Sequence, residues 1–82
     1  MPEIRLTGSA KKDLDRINEP LLSKIVSQIE LLAENTKLPN VIKLKARHNE
    51  FRMRIGDYRV LFFIDKSTVI ISRIVLRREA YR

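Results

Sequence analysis

The 82-residue chain has no cysteine and no tryptophan, only two glycines, and a single histidine, His48. Without thiols there is neither a disulfide framework nor thiolate chemistry. One histidine excludes a His-rich metal site, and the carboxylates show no ligand spacing, so no metal or other cofactor is implied. Long apolar runs are missing too. Met1 leads directly into "PEIRLTG", with charges throughout, so neither a signal peptide nor a membrane span is expected and the protein reads as cytoplasmic. The length points to one domain covering residues 1–82. A chain of this size buries only about 60–65% of its unfolded surface, which leaves little stability in reserve.

What the chain has in quantity is positive charge, unevenly placed. Seventeen Lys and Arg oppose ten Asp and Glu, a net of +7. Residues 1–40 hold six of each sign, whereas residues 41–82 hold eleven basic and four acidic residues. A basic half of this kind fits a polyanionic partner. The plainer alternative is a surface kept soluble by its cations. Arginine dominates the basic half, and lysine is the usual solubilising residue, which favours the polyanion.

The pattern along the chain predicts an α+β protein. "EIRLT" alternates as a strand over residues 3–7. "GSAKKDLDRIN" suits a short helix capped at Ser9, with Leu14 and Ile17 at helical spacing. "NEPLLSKIVSQIELLAEN" predicts the main helix, capped by Asn18, with Pro20 in its first turn. Its apolar stripe is Leu22, Ile25, Val26, Ile29, Leu32 and Ala33. From residue 41 the period becomes two, through "VIKLKAR", "EFRMRI", "YRVLFFID" and "STVIISRIVL". A strand, a helical hairpin and then a three- to four-stranded antiparallel sheet is the expected order, with the helices covering one face.

"RMRIGDYRV", residues 52–60, raises the sharpest question. A two-residue Gly56-Asp57 loop with glycine first predicts a type II′ turn. In that register Ile55 pairs with Tyr58, Arg54 lies opposite Arg59, and Arg52 shares their face opposite Leu61. Like charges directly across two strands destabilise by roughly 0.2–1 kcal/mol. Either the arginines splay into solvent, or an anion between them relieves the repulsion. Guanidinium forks bind phosphate bidentately, which supports the second explanation. The next hairpin turns around Asp65-Lys66-Ser67. A three-residue loop there sets Arg73 beside Arg59, and a two-residue loop sets it on the other face.

The chain closes on "LRREAYR". Tyr81 stands among Arg77, Arg78 and Arg82. Packing is the ordinary role of a tyrosine after an apolar strand. Cationic neighbours also favour the tyrosinate, which would suit a general base or acid.

"LKARHNEFRMRIGDYRVLFFID" together with "ISRIVLRREAYR" resembles the RelE/ParE superfamily of type II toxin–antitoxin toxins, and the RelE branch in particular. The likeness is strongest over residues 43–82 and rests on "GDYRV" and the terminal "RRExYR". It implies the RelE-like microbial ribonuclease-type fold and an mRNA endoribonuclease working in the ribosomal A site. The implied reaction is metal-independent: the 2′-hydroxyl attacks the adjacent phosphate, leaving a 2′,3′-cyclic phosphate and a free 5′-hydroxyl.

By position, the resemblance assigns catalytic roles to Arg52, Arg54, Arg59, Arg77 and Tyr81. Arg59 and Arg77 would stabilise the phosphorane, Arg52 and Arg54 would clamp the scissile phosphate, and Tyr81 would act on the 2′-hydroxyl. Lys43, Lys45, Arg47, Arg73, Arg78 and Arg82 are the expected contacts to flanking RNA phosphates. Arginine replaces the lysine pair of the best-understood members at 52 and 54, and Leu76 stands where many have histidine. Since arginine stays protonated, acid–base work is shifted towards Tyr81.

The implied partners are the ribosome, mRNA and a cognate antitoxin, in a toxin–antitoxin hetero-oligomer. The antitoxin is expected to wrap the helical face or displace the C-terminal segment. Two alternatives stay open: a ParE-like inhibitor of DNA gyrase, and a non-catalytic basic nucleic-acid-binding module. Phe62 and Phe63 are expected to pack rather than to stack on bases.

Overall fold

The computed structural model describes residues 3–44 and 50–77. The elements run β1 (Glu3–Leu6), α1 (Gly8–Asp15), α2 (Leu21–Leu32), β2 (Val41–Lys43), β3 (Glu50–Ile55), β4 (Tyr58–Asp65) and β5 (Thr68–Leu76). The strands form one mixed sheet in the order β1-β5-β4-β3-β2. The four later strands are antiparallel, as the alternation predicts, and β1 joins the same sheet parallel to β5.

One face of the sheet packs against the helices. Ile25, Ile29 and Leu32 of α2 and Ala10 of α1 share a buried cluster with Met53, Ile55, Val60, Phe62, Val69, Ile71 and Ile74. Phe51 and Phe62, opposite each other on β3 and β4, stack with ring centroids 5.4 Å apart. Val26, expected in the α2 core stripe, is 37% exposed. It lies one residue round the helix from the Ile25–Ile29–Leu32 line, which carries the buried side chains of α2.

Both helix caps differ from expectation. The α1 cap is Thr7, whose hydroxyl accepts from the Ala10 amide at 3.1 Å and donates to the Ser72 carbonyl at 2.9 Å. It therefore joins helix to sheet, a tertiary role that Ser9, one residue inside the helix, does not have. At α2 the side chain that holds the first turn belongs to Glu19 rather than Asn18. Its carboxylate accepts from the Ser23 amide at 2.8 Å and the Ser23 hydroxyl at 2.6 Å. These bonds pull the Glu19 carboxyl below its ordinary value.

Because β1 pairs only with residues 68–71, the later part of β5 has an open edge. α1 lies against it through Asp13, which is 8% exposed. Asp13 accepts from the Ile74 amide at 2.8 Å and from Arg73 Nε and Nη2 at 2.8 and 3.3 Å. A buried carboxylate thus takes the place of the missing strand.

Candidate functional site

The β3–β4 turn is the one the sequence predicts. Gly56 has φ +57 and Asp57 does not share the positive φ, as a type II′ turn requires. Ile55 pairs with Tyr58, Arg54 with Arg59 and Arg52 with Leu61. All three arginines therefore lie on the sheet face turned away from the helices. With Pro39, Asn40 and Ile42 they line a groove of about 250 Å³.

The three guanidinium groups have different surroundings. Arg54 is exposed, Arg52 half-buried, and Arg59 is 3% exposed. Arg59 Nη1 donates to the carbonyls of Gly56 at 3.2 Å and Tyr58 at 3.1 Å. Among the described residues no carboxylate pairs with it. A buried cation costs free energy unless it is paired or hydrogen-bonded. Among the described residues its partners are two carbonyl dipoles, so Arg59 brings an unneutralised charge to the groove.

Arg54 is held from behind. Its amide donates to the Asn40 carbonyl at 2.9 Å, and Asn40 Nδ2 donates to the Arg54 carbonyl at 2.8 Å and to Gln28 Oε1 at 3.3 Å. Asn40 so links α2, the start of β2 and the arginine hairpin. Sequence reading did not single it out. The Pro39-Asn40 pair reads as an ordinary turn, and only the folded chain shows what lies beside it.

A larger cavity, about 410 Å³, opens near Asp13, Arg16, Tyr58 and Arg73. It is the weaker candidate for an anion, because its arginines face a carboxylate. Burial by itself pushes the Asp13 carboxyl up. Hydrogen bonds from Arg73 and the Ile74 amide, with the charges of Arg73 and Arg16, outweigh that and hold it below its ordinary value of 3.8.

The structure brings some of the expected site residues together and separates others. Arg77 stands one residue beyond β5, its amide bonded to the Asp57 carbonyl at 2.7 Å, which sets it beside the arginine turn. Lys43 is on the other side. It pairs with Phe51, so the strand alternation turns it from the arginine face. Arg73 belongs to the Asp13 cavity and not to the groove. The β4–β5 loop has two residues, Lys66 and Ser67, which alone would carry Arg73 to the helical face. A bulge at Leu61/Phe62 leaves Ser72 unpaired and moves Arg73 opposite Leu61. Lys45, Arg47, Arg78, Tyr81 and Arg82 lie outside the described residues.

Direct opposition of Arg54 and Arg59 makes a test with two signs. Arg54→Gln removes an exposed charge and is expected to raise Tm by roughly 1–5 °C in a thermal melt, while weakening any phosphate-dependent activity.

Comparison with known proteins gives the family and the fold. Residues 4–81 match the profile of the "ParE toxin of type II toxin-antitoxin system, parDE". The chain belongs to that family. Toxin RelE3 of Methanocaldococcus jannaschii is 28% identical over 74 residues, covering 85% of this chain and 84% of the relative. In the RelB–RelE antitoxin–toxin complex from Methanococcus jannaschii, a chain 25% identical superposes with a TM-score of 0.79 over 94% of both chains. A chain of the RelBE2 toxin–antitoxin complex of Mycobacterium tuberculosis is 29% identical, with a TM-score of 0.76 over 94% of this chain and all of that one. Isolated E. coli RelE shares the fold at 14% identity, with a TM-score of 0.81 over 99% of this chain and 92% of that one. This is a RelE/ParE-superfamily toxin, and the α+β fold expected from its sequence is the superfamily's. Among the described residues of the toxin, no helix is long and apolar enough to cross a membrane.

Proposed function

We propose that this toxin is a metal-independent mRNA endoribonuclease that acts in the ribosome, and that the arginine groove holds the scissile phosphate. The observation that carries the proposal is the groove itself: Arg52, Arg54 and Arg59 converge on it, and Arg59 is buried there without a carboxylate partner among the described residues. For stability alone the arrangement is a poor choice. It suits an oxyanion whose charge increases during reaction.

In the proposed step the ribose 2′-oxygen attacks the adjacent phosphorus as its proton passes to a base. The bond from phosphorus to the 5′-oxygen breaks, the leaving oxygen takes a proton, and the products are a 2′,3′-cyclic phosphate and a 5′-hydroxyl. Arg59 and Arg54 face the non-bridging oxygens, and Arg52 extends the clamp. Arg77, beside the turn, adds charge near the leaving group. Tyr81 is the proposed base, and Lys45, Arg47, Arg78 and Arg82 the proposed contacts to flanking RNA. The comparisons with RelB–RelE and RelBE2 complexes support an antitoxin partner encoded with the toxin, in a hetero-oligomer. One domain spanning residues 1–82 and a cytoplasmic location complete the reading.

A second reading has its own support, because the matching profile describes ParE toxins. Gyrase inhibition would use the same basic surface without RNA chemistry. Expression followed by mapping of ribosome-bound mRNA ends separates the two. Nuclease action is expected to give new 5′-hydroxyl ends at A-site codons within minutes. Intact mRNA with accumulating gyrase–DNA cleavage complexes would overturn it in favour of the second reading.

A further inference from the structure

The groove holds one side-chain acceptor among its cations. Of the six lining residues, three are arginines, which only donate, and Pro39 and Ile42 are apolar. Asn40 is the sixth, and its amide orientation is fixed. The Arg54 carbonyl can only accept, so the Asn40 nitrogen must face it, and the other hydrogen of that nitrogen goes to Gln28 Oε1. Both donor positions are therefore used within the fold. Asn40 Oδ1 accepts no hydrogen bond from the described residues, and Asn40 is one of the residues that line the groove.

The same contacts fix where this acceptor stands. The Arg54 amide is bonded to the Asn40 carbonyl and the Asn40 side chain to the Arg54 carbonyl, so Asn40 and the Arg54 backbone are joined twice. Asn40 is therefore held at a set place against the strand that carries Arg54, in the lining it shares with Arg54 and Arg59. What an arginine groove cannot recognise is a donor on the ligand, and a carboxamide oxygen recognises one without cancelling the positive field. A nucleotide offers the ribose 2′-hydroxyl as a donor next to its phosphate, and its base offers an exocyclic amine or, in uracil and guanine, an imino N–H.

We propose that Asn40 Oδ1 accepts a hydrogen bond from the nucleotide whose phosphate sits in the arginine groove, so that Asn40 selects the ligand while the arginines supply affinity. This rests on the reading of the groove as a nucleic-acid phosphate site. In the ribose case the contact also orients the attacking oxygen, which makes Asn40 a positioning residue for that step.

The test is fluorescence anisotropy at low salt with short single-stranded probes, the full-length probe being verified on a gel after each titration. Oligouridine RNA is compared with oligouridine carrying 2′-fluoro groups, which keep the sugar pucker and lose the ribose donor. Oligoadenosine with 2′-fluoro groups adds a base amine. Wild type is expected to prefer a probe with the ribose hydroxyl or the base amine by about fivefold, the size of one neutral hydrogen bond. Asn40→Ala is expected to remove that preference; because it also removes the brace on the Arg54 carbonyl, the ratio between probes carries the result, read on protein whose fold is confirmed by circular dichroism.

Loss of the RNA preference assigns the acceptor to the 2′-hydroxyl, and loss of the adenosine preference assigns it to the base. If Asn40→Ala leaves both ratios as in wild type while Arg54→Gln weakens every probe, the role of Asn40 is wrong and the phosphate groove stands. If no probe responds to Arg54→Gln, the groove reading fails and this inference fails with it.

Discussion

Replacing Arg59 with methionine is expected to lower RNA cleavage and growth arrest by about 10²–10³-fold or more, the usual cost of losing one preorganised donor to a developing oxyanion. The same variant is expected to keep Tm unchanged or slightly higher. Arg59 is 3% exposed and bonds two turn carbonyls, so its removal has a cost as well as a gain. The cost is two neutral acceptors at a surface turn, which water can satisfy. The gain is relief of a desolvated charge and of repulsion from Arg54 directly opposite. Measuring Tm and cleavage on the same preparation separates function from folding. A large fall in Tm would identify Arg59 as a structural residue and remove the main support for the phosphate site. Arg59→Lys is expected to restore little activity, since an ammonium lacks the planar fork.

The second large effect concerns stability. Asp13→Ala is expected to cost about 2–4 kcal/mol, because it leaves the Ile74 amide without an acceptor at a buried strand edge. That is a large part of the stability of so small a domain, and a fall in Tm of roughly 10–25 °C should follow. Arg73, whose side chain is 49% exposed, can turn to solvent and adds less. Asp13→Asn retains an acceptor for Ile74 and is expected to lose less than Asp13→Ala. The carboxyl also predicts a pH dependence. Its folded-state value lies below the ordinary 3.8, so its contribution is complete above that pH. It is lost as the pH falls through the folded-state value. Thermal melts between pH 2 and 6 should show wild type converging on Asp13→Asn at the acid end. Parallel curves throughout would mean that the carboxylate's charge is irrelevant to the fold.

How far the sequence speaks depends on how local each determinant is. The arginine hairpin is legible because a Gly-Asp loop sets its own register, and register decides which side chains share a face. The same logic fails for Lys43. "VIKLKAR" alternates clearly, but its facing depends on pairing with Phe51, which no local signal encodes. Arg73 depends on the length of a loop and on one bulge at Ser72, and these act in opposite directions. Thr7 and Asp13 are polar residues at ordinary positions until β5 arrives beside them, 60 or more residues later in the chain. Asn40 belongs with them, since its importance comes from the Arg54 backbone.

The sheet order also bears on how the toxin comes into being. β5 lies between β1 and β4, so the first strand has no neighbour until the last described strand has formed. Chains are made from the N-terminus, and such distant pairings carry a large closure cost. β2, β3 and β4 can assemble as a meander earlier, but that meander lacks the strand that leads to Arg77 and the edge that seats α1. A partly synthesised chain is therefore incomplete at its site as well as in its core. For a protein proposed to attack the translating ribosome, this order of assembly delays harm to the ribosome that is making it.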